Sequence, residues 1–315
     1  MSLLSRVDTG HRDMIHDAQM DYYGTRVATC SSDRMIKIFE MKPNAQPHLL
    51  TELAGHEGPV WQVTWAHPSF EGVLASCSYD HKVFVWKEVS AGKWQRIYEG
   101  TQHEASVNSI CWAPYQFGLV LACGSTDKAI SFITYNSDDS SWSVKKISNA
   151  HDQGCNAVSW CPGVAPGSLS EPMPDQSQTR RLVSAGNDNL VKIWKETTEG
   201  WELDETLEGH SDWVRDVAWA PAVGFPASTI ASCGQDKRVI IWRSSNLEGG
   251  QWEPKLLPVF DDVVWHVSWS LCGTILAVSC GDNKVSLWKE SLDGQWTCIS
   301  GDSNKQAERA ESGLG

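Results

Sequence analysis

The 315-residue sequence contains no run of 18 apolar residues, so no helical membrane span is expected. Its first stretch, Met1 to Asp8, has no apolar core of the kind a secretory signal needs. Basic residues are the minority: 26 Lys and Arg stand against 39 Asp and Glu, a net charge of −13. That balance argues against binding a phosphate backbone as the main task. Cysteine is present, ten times, but never as a CxxC pair and never grouped with His at zinc spacing. The ten thiols therefore read as small, reduced hydrophobes, and neither a metal nor a cofactor is expected.

What is abundant is tryptophan, 17 residues in a chain that is 41% hydrophobic and long enough to bury a substantial core. Repetition explains the count, and His210 to Trp242 serves as the ruler. Val214–Trp219 alternates apolar and polar residues, as a half-buried strand does. Ile230–Cys233 reads as a second strand, Gly234 to Lys237 as a hairpin turn, and Val239–Trp242 as a third, buried strand. Gln251–Leu257 reads as an outer strand, where Pro254 is tolerable.

The same parts recur. The turn aspartates Asp33, Asp80, Asp127, Asp188, Asp236 and Asp282 are spaced by 47, 47, 61, 48 and 46 residues. Each precedes by six residues the end of a third strand, at Phe39, Trp86, Ile133, Trp194, Trp242 and Trp288. Four antiparallel strands in roughly 45 residues, with a leading His and a turn Asp, resemble a WD-repeat blade. The expected fold is all-β: a single six-bladed WD-repeat β-propeller over residues 1–299. Its repeats lie at about 8–53, 54–99, 100–148, 149–207, 208–257 and 258–299, followed by a polar, disordered tail at 300–315. The insertion from Gly163 to about Thr179 is expected to be a surface loop.

In that family a His, a Ser or Thr, the turn Asp and the Trp tie each blade together. The resemblance assigns these roles to His56, Ser76, Asp80 and Trp86, to His151, Ser184, Asp188 and Trp194, and to His210, Ser232, Asp236 and Trp242. The first repeat has Thr29 but Phe39, the third has Cys123 and Ile133, and the sixth has Phe260 and Val278 in place of His and Ser. A His/Ser/Asp set invites a catalytic reading, but a triad is needed once and this set recurs. The usual Trp-Asp pair is absent. Lys87, Lys195, Arg243 and Lys289 follow the Trp instead, which counts against a ubiquitin-ligase adaptor.

More specific segments are His56-Glu57-Gly58-Pro59-Val60-Trp61-Gln62-Val63, His210 to Pro221, Asp262 to Trp269, Met14 to Ala18 and Trp288-Lys289-Glu290-Ser291. With these, residues 8–299 resemble the Sec-thirteen family of WD-repeat propellers. That resemblance implies a non-enzymatic scaffold of the COPII vesicle outer coat, in ER-to-Golgi transport, and of the Y-shaped nuclear pore scaffold. The implied partners are the large propeller–solenoid subunit of the coat and a nuclear pore α-solenoid protein, either of which inserts a β-element as a seventh blade. A lysosomal nutrient-sensing complex is a further implied partner. The implied location is cytoplasmic, peripheral on ER exit-site and vesicle membranes, and at the nuclear envelope.

Six repeats leave no obvious strand to lock the ring, so an open propeller is expected, with its gap between the first and sixth blades. Ile15, Ile36, Ile38, Val285 and Leu287 are the candidate gap residues. Against this stands a ring closed by Leu3 to Val7, which fits a peptide-binding adaptor of ubiquitin-ligase or chromatin type. Trp61, Trp213 and Trp265 either line the top of the channel or pack between blades.

Overall fold

The computed structural model describes residues 7–42, 45–163, 179–221, 227–245 and 250–300. The insertion at 164–178, the tail at 301–315 and Leu3 to Arg6 lie outside the described residues, so the expectations made for them are not addressed by it. There are six four-stranded antiparallel sheets, each formed by four strands consecutive in sequence. Blade 5 comprises Val214–Trp219, Ser228–Gly234, Val239–Ser244 and Glu253–Leu256, with Pro254 in its outer strand. The inner strands of the other blades are Ile15–Met20, Val60–Trp65, Val107–Trp112, Cys155–Trp160 and Val264–Trp269.

Simple alternation is broken once in every inner strand. Val214 pairs with Gly234 but Asp216 with Cys233, so Arg215 is an extra, bulged residue. The same shift occurs in the other five blades. A β-bulge turns the later residues of its strand over to the other face. Val214 and Val217, three apart, can therefore both be buried in the core shared with blade 4. The bulged position is left for another use: His16, Trp61, Asn108, Asn156, Arg215 and Trp265 occupy it.

Each hairpin turn is set by its aspartate. Asp236 Oδ1 accepts the backbone N–H of Arg238, and Lys237 between them takes φ 62°. All six turns place a non-glycine residue in this left-handed region: Arg34, His81, Lys128, Asn189, Lys237 and Asn283. A carboxylate gripping the backbone two residues on makes the strain tolerable.

The apolar cores lie between blades rather than within them. Val60, Val63, Phe84 and Trp86 of blade 2 pack on Ala28, Cys30, Ile36 and Ile38 of blade 1. Equivalent cores join blades 2 and 3, 3 and 4, 4 and 5, and 5 and 6. Among the described residues no such core joins blade 6 to blade 1. All ten cysteines are free, and Cys30, Cys77, Cys123 and Cys233 are buried in these seams.

Candidate partner-docking gap between blades 1 and 6

The four-residue sets form in blades 2, 4 and 5. In blade 2, His56 Nδ1 lies 2.9 Å from Asp80, His56 Nε2 lies 2.9 Å from Ser76 Oγ, and Trp86 Nε1 donates to Ser76 Oγ at 3.0 Å. A carboxylate only accepts, so the chain runs one way: Trp N–H to Ser, Ser O–H to His Nε2, His Nδ1–H to Asp. His151, Ser184, Asp188 and Trp194 repeat it, as do His210, Ser232, Asp236 and Trp242. Burial would raise the Asp80 and Asp127 carboxyls. The His hydrogen bond and charge, with backbone N–H donors, outweigh that and bring both down to about 2. Each serine and imidazole is buried and engaged within its own blade, so these sets hold blades together and offer no free nucleophile.

In blade 1 the His, Thr and Asp members join, with Thr29 Oγ1 donating to His11 Nε2 at 2.9 Å and His11 Nδ1–H donating to Asp33, while Phe39 in place of the Trp has no N–H to add. In blade 3 the missing serine on the second strand is supplied by Ser131 on the third, 2.8 Å from His103 Nε2. Sequence register could not find this, because Ser131 lies outside the family's pattern. Blade 6 is not repaired. Asp282 pairs with Lys284 at the surface, Phe260 packs edge-on to Trp288, and the indole N–H of Trp288 goes to Ser286.

The repeated Trp-Lys-Glu triplets also acquire a role. Glu88, Glu196 and Glu290 accept Arg26, Lys145 and Arg243 from the preceding blade at 2.6, 2.9 and 3.2 Å. These pairs bridge blades 1 and 2, 3 and 4, and 5 and 6.

The gap is legible in equivalent positions. Val60, Val107, Cys155, Val214 and Val264 open the inner strands of blades 2 to 6 and are all 0% exposed against the preceding blade; Ile15, in blade 1, is 46% exposed. Ile36, Val83, Ile130, Val191 and Val239, each three residues after the turn aspartate of blades 1 to 5, are all 0% exposed against the following blade; Val285, in blade 6, is 56% exposed. Ala18 and Met20 on one side, and Ala277, Ser279 and Leu287 on the other, are likewise more open than their counterparts.

Of the five candidate gap residues, Ile15, Val285 and Leu287 thus lie on the two unpartnered faces. Ile36 and Ile38 do not. Both are fully buried in the core between blades 1 and 2. Their side chains point toward the following blade, and the opposite face of that strand carries Lys37 and Phe39. Substituting Ile36 and Ile38 by aspartate would damage the core rather than the gap.

The inner strands show the same interruption. Side chains on each blade accept a backbone N–H from the next: Asp17 from Val63, Gln62 from Ile110, Ser109 from Val158, Ser159 from Trp219, and Asp216 from Val267, at 2.7–3.2 Å. Among the described residues no side chain of blade 6 accepts a backbone N–H from the inner strand of blade 1; the Ala18 N–H goes to its own neighbour Asp17 Oδ1 at 2.8 Å, as that of Val217 in blade 5 goes to Asp216 Oδ1 at 2.9 Å. His266 of blade 6 occupies the register of Asp17, Gln62, Ser109 and Asp216; blade 4 has Ala157 there and accepts through Ser159, two residues further on. Burial raises the Asp17 carboxyl, opposed by the Val63 N–H and the positive field of His266.

The exposed aromatics divide. Trp61 packs in the seam between blades 2 and 3, with its N–H on Ser106 Oγ. Trp213 and Trp265 remain exposed, and the Arg215 guanidinium lies over both rings, 5.0 and 4.7 Å from their centroids. Their stack bridges blades 5 and 6.

Six four-stranded blades, three of which hold the full His–Ser–Asp–Trp chain, define a WD-repeat β-propeller. The profile of the WD domain, G-beta repeat, matches residues 3–40, 47–87, 201–243 and 255–289. Protein SEC13 homolog of Homo sapiens is 59% identical over 308 residues, spanning 97% of this chain and 94% of the relative. Protein SEC13 homolog of Drosophila melanogaster is 52% identical, spanning 95% and 84%. Protein transport protein sec13 of Emericella nidulans is 51% identical, spanning 92% and 95%. The chain belongs to the Sec13 family.

Proposed function

We propose that this chain is a non-enzymatic scaffold subunit of a COPII-type vesicle outer coat, acting in protein transport from the ER. A solenoid partner completes it by seating a β-element between blades 6 and 1 as a seventh blade. The observation that carries this reading is the pair of unpartnered apolar faces at Ile15 and Val285, whose counterparts elsewhere are all sealed. A face of that kind beside an unpaired sheet is an aggregation hazard unless a partner covers it. Strand addition is the economical cover, because its backbone hydrogen bonds and side-chain burial act together. The relatives' names, which include protein transport protein, support the transport role.

The same gap serves a second solenoid partner in the nuclear pore scaffold, and the protein accordingly resides on ER exit-site and vesicle membranes and at the nuclear envelope. No helix among the described residues is long and apolar enough to cross a membrane, and attachment through the coat requires none. Affinity capture of the chain from cell lysate, with mass spectrometry of the bound proteins, tests the reading. Recovery of the large propeller–solenoid coat subunit and of nuclear pore solenoid proteins is expected. Recovery of ubiquitin-ligase or chromatin components with neither of these would replace it by a peptide-binding adaptor.

A further inference from the structure

Five blades present a hydrogen-bond acceptor from the inner strand to the blade after them. Blade 6, which has no blade after it, presents His266. Its Nδ1 lies 2.6 Å from Asp216 Oδ2 of blade 5, and about half of its side chain is exposed. Nδ1 must donate, because the carboxylate can only accept. The attraction of Asp216 outweighs the burial that opposes it and raises the imidazole to about 9, with Asp17 of blade 1 contributing. At neutral pH the ring is therefore doubly protonated, and Nε2 is a donor with no hydrogen-bond partner among the described residues.

We propose that His266 determines which β-element the gap accepts: the inserted inner strand must offer an acceptor atom to His266 Nε2, the reverse of the arrangement at the other five junctions. The charge around the ring narrows the acceptor further. One imidazolium already faces two carboxylates, Asp216 from blade 5 and Asp17 from blade 1. A third carboxylate would add more repulsion than attraction, so the matching group is neutral: a side-chain amide oxygen, a hydroxyl or a main-chain carbonyl. This inference rests on the gap reading proposed above and assigns the gap its polar selectivity, beside the apolar contacts at Ile15 and Val285.

The test uses full-length protein and the recombinant large subunit of the COPII outer coat, with affinity measured by calorimetry. His266→Leu is expected to weaken binding about tenfold to a hundredfold, the usual cost of losing a hydrogen bond to a charged group. His266→Gln, which keeps an N–H donor, is expected to recover part of that loss. Wild-type affinity should hold from pH 7 to 8 and fall as pH rises through about 9. In neutral His266 the remaining proton stays on Nδ1 facing Asp216, and Nε2 becomes an acceptor that no longer matches. The His266→Leu curve should be flat over that range. Thermal unfolding of each variant separates a binding loss from a folding loss.

Val285→Asp distinguishes the two levels of the argument. If Val285→Asp binds like wild type, the gap is not the docking site and both readings fall. If Val285→Asp abolishes binding while His266→Leu matches wild type at every pH, the gap stands and the role of His266 is wrong.

Discussion

Val239 and Val285 are the same residue at the same register of successive blades. One is wholly buried and the other is 56% exposed. Nothing in the local sequence separates them: each comes three residues after its turn aspartate and begins a third strand. Only Val239 has a following blade to cover it. The comparison teaches that in a stacked-repeat fold the fate of an apolar residue depends on its neighbour repeat as much as on its own. An apolar face left uncovered at the end of such a stack is what the proposed partner element would cover.

The sharpest way to break the comparison is to place the same charge at both sites. Val239→Asp should cost about 3–5 kcal/mol, because it leaves an unpaired charge in a sealed core. Val285→Asp should change stability by less than about 0.5 kcal/mol, as exposed substitutions do. Denaturant unfolding of the two variants checks this, and equal losses would mean that blade 6 is covered in solution.

The second contrast is between the turn aspartates. Asp236→Ala removes the partner of His210 in a complete set and should cost about 2–3 kcal/mol. Asp282→Ala removes an exposed pair with Lys284 and one backbone hydrogen bond of its turn, and should lower the melting temperature by clearly less. Matching shifts would undo the distinction between the sealed and unsealed sets.

Acid sharpens the same point. Asp80 and Asp127 have folded-state values of about 2, below the ordinary carboxyl. Their contribution is complete above about pH 4 and is lost as pH falls through about 2, roughly 2 kcal/mol each. Asp80→Asn should flatten the fall in stability between pH 4 and 2, as measured by equilibrium unfolding at each pH. An unchanged slope would mean that the His56–Asp80 pair does not govern acid stability.

The smallest effect separates a native set from a repaired one. Ser232 serves both His210 and Trp242, whereas Ser131 serves His103 and Gln102. Ser232→Ala should cost about 2 kcal/mol and Ser131→Ala about 1 kcal/mol, by thermal unfolding. The ranking would be reversed if the substitute bond in blade 3 were the stronger.

Much of this was readable in the residues. The aspartate spacing located every turn, and three complete four-residue sets appeared as the resemblance assigned them. The failures have one cause. Strand alternation shows that Ile36 and Ile38 share a face, but not toward which neighbour that face turns. The repair by Ser131 was hidden because a hydroxyl on an adjacent strand can reach the same imidazole. His266 looked like an ordinary inner-strand residue until the acceptor pattern of the other five junctions was visible.

The sequence by itself determined the number of blades, their strands and turns, and the bonds within each. These depend on contacts among residues within one repeat. Tertiary structure alone decided which apolar faces are sealed, where the inner-strand hydrogen bonds stop, and that the series ends on a donor. Those outcomes depend on which blade stands beside which, and a periodic sequence specifies each unit more fully than it specifies the junction between the last unit and the first.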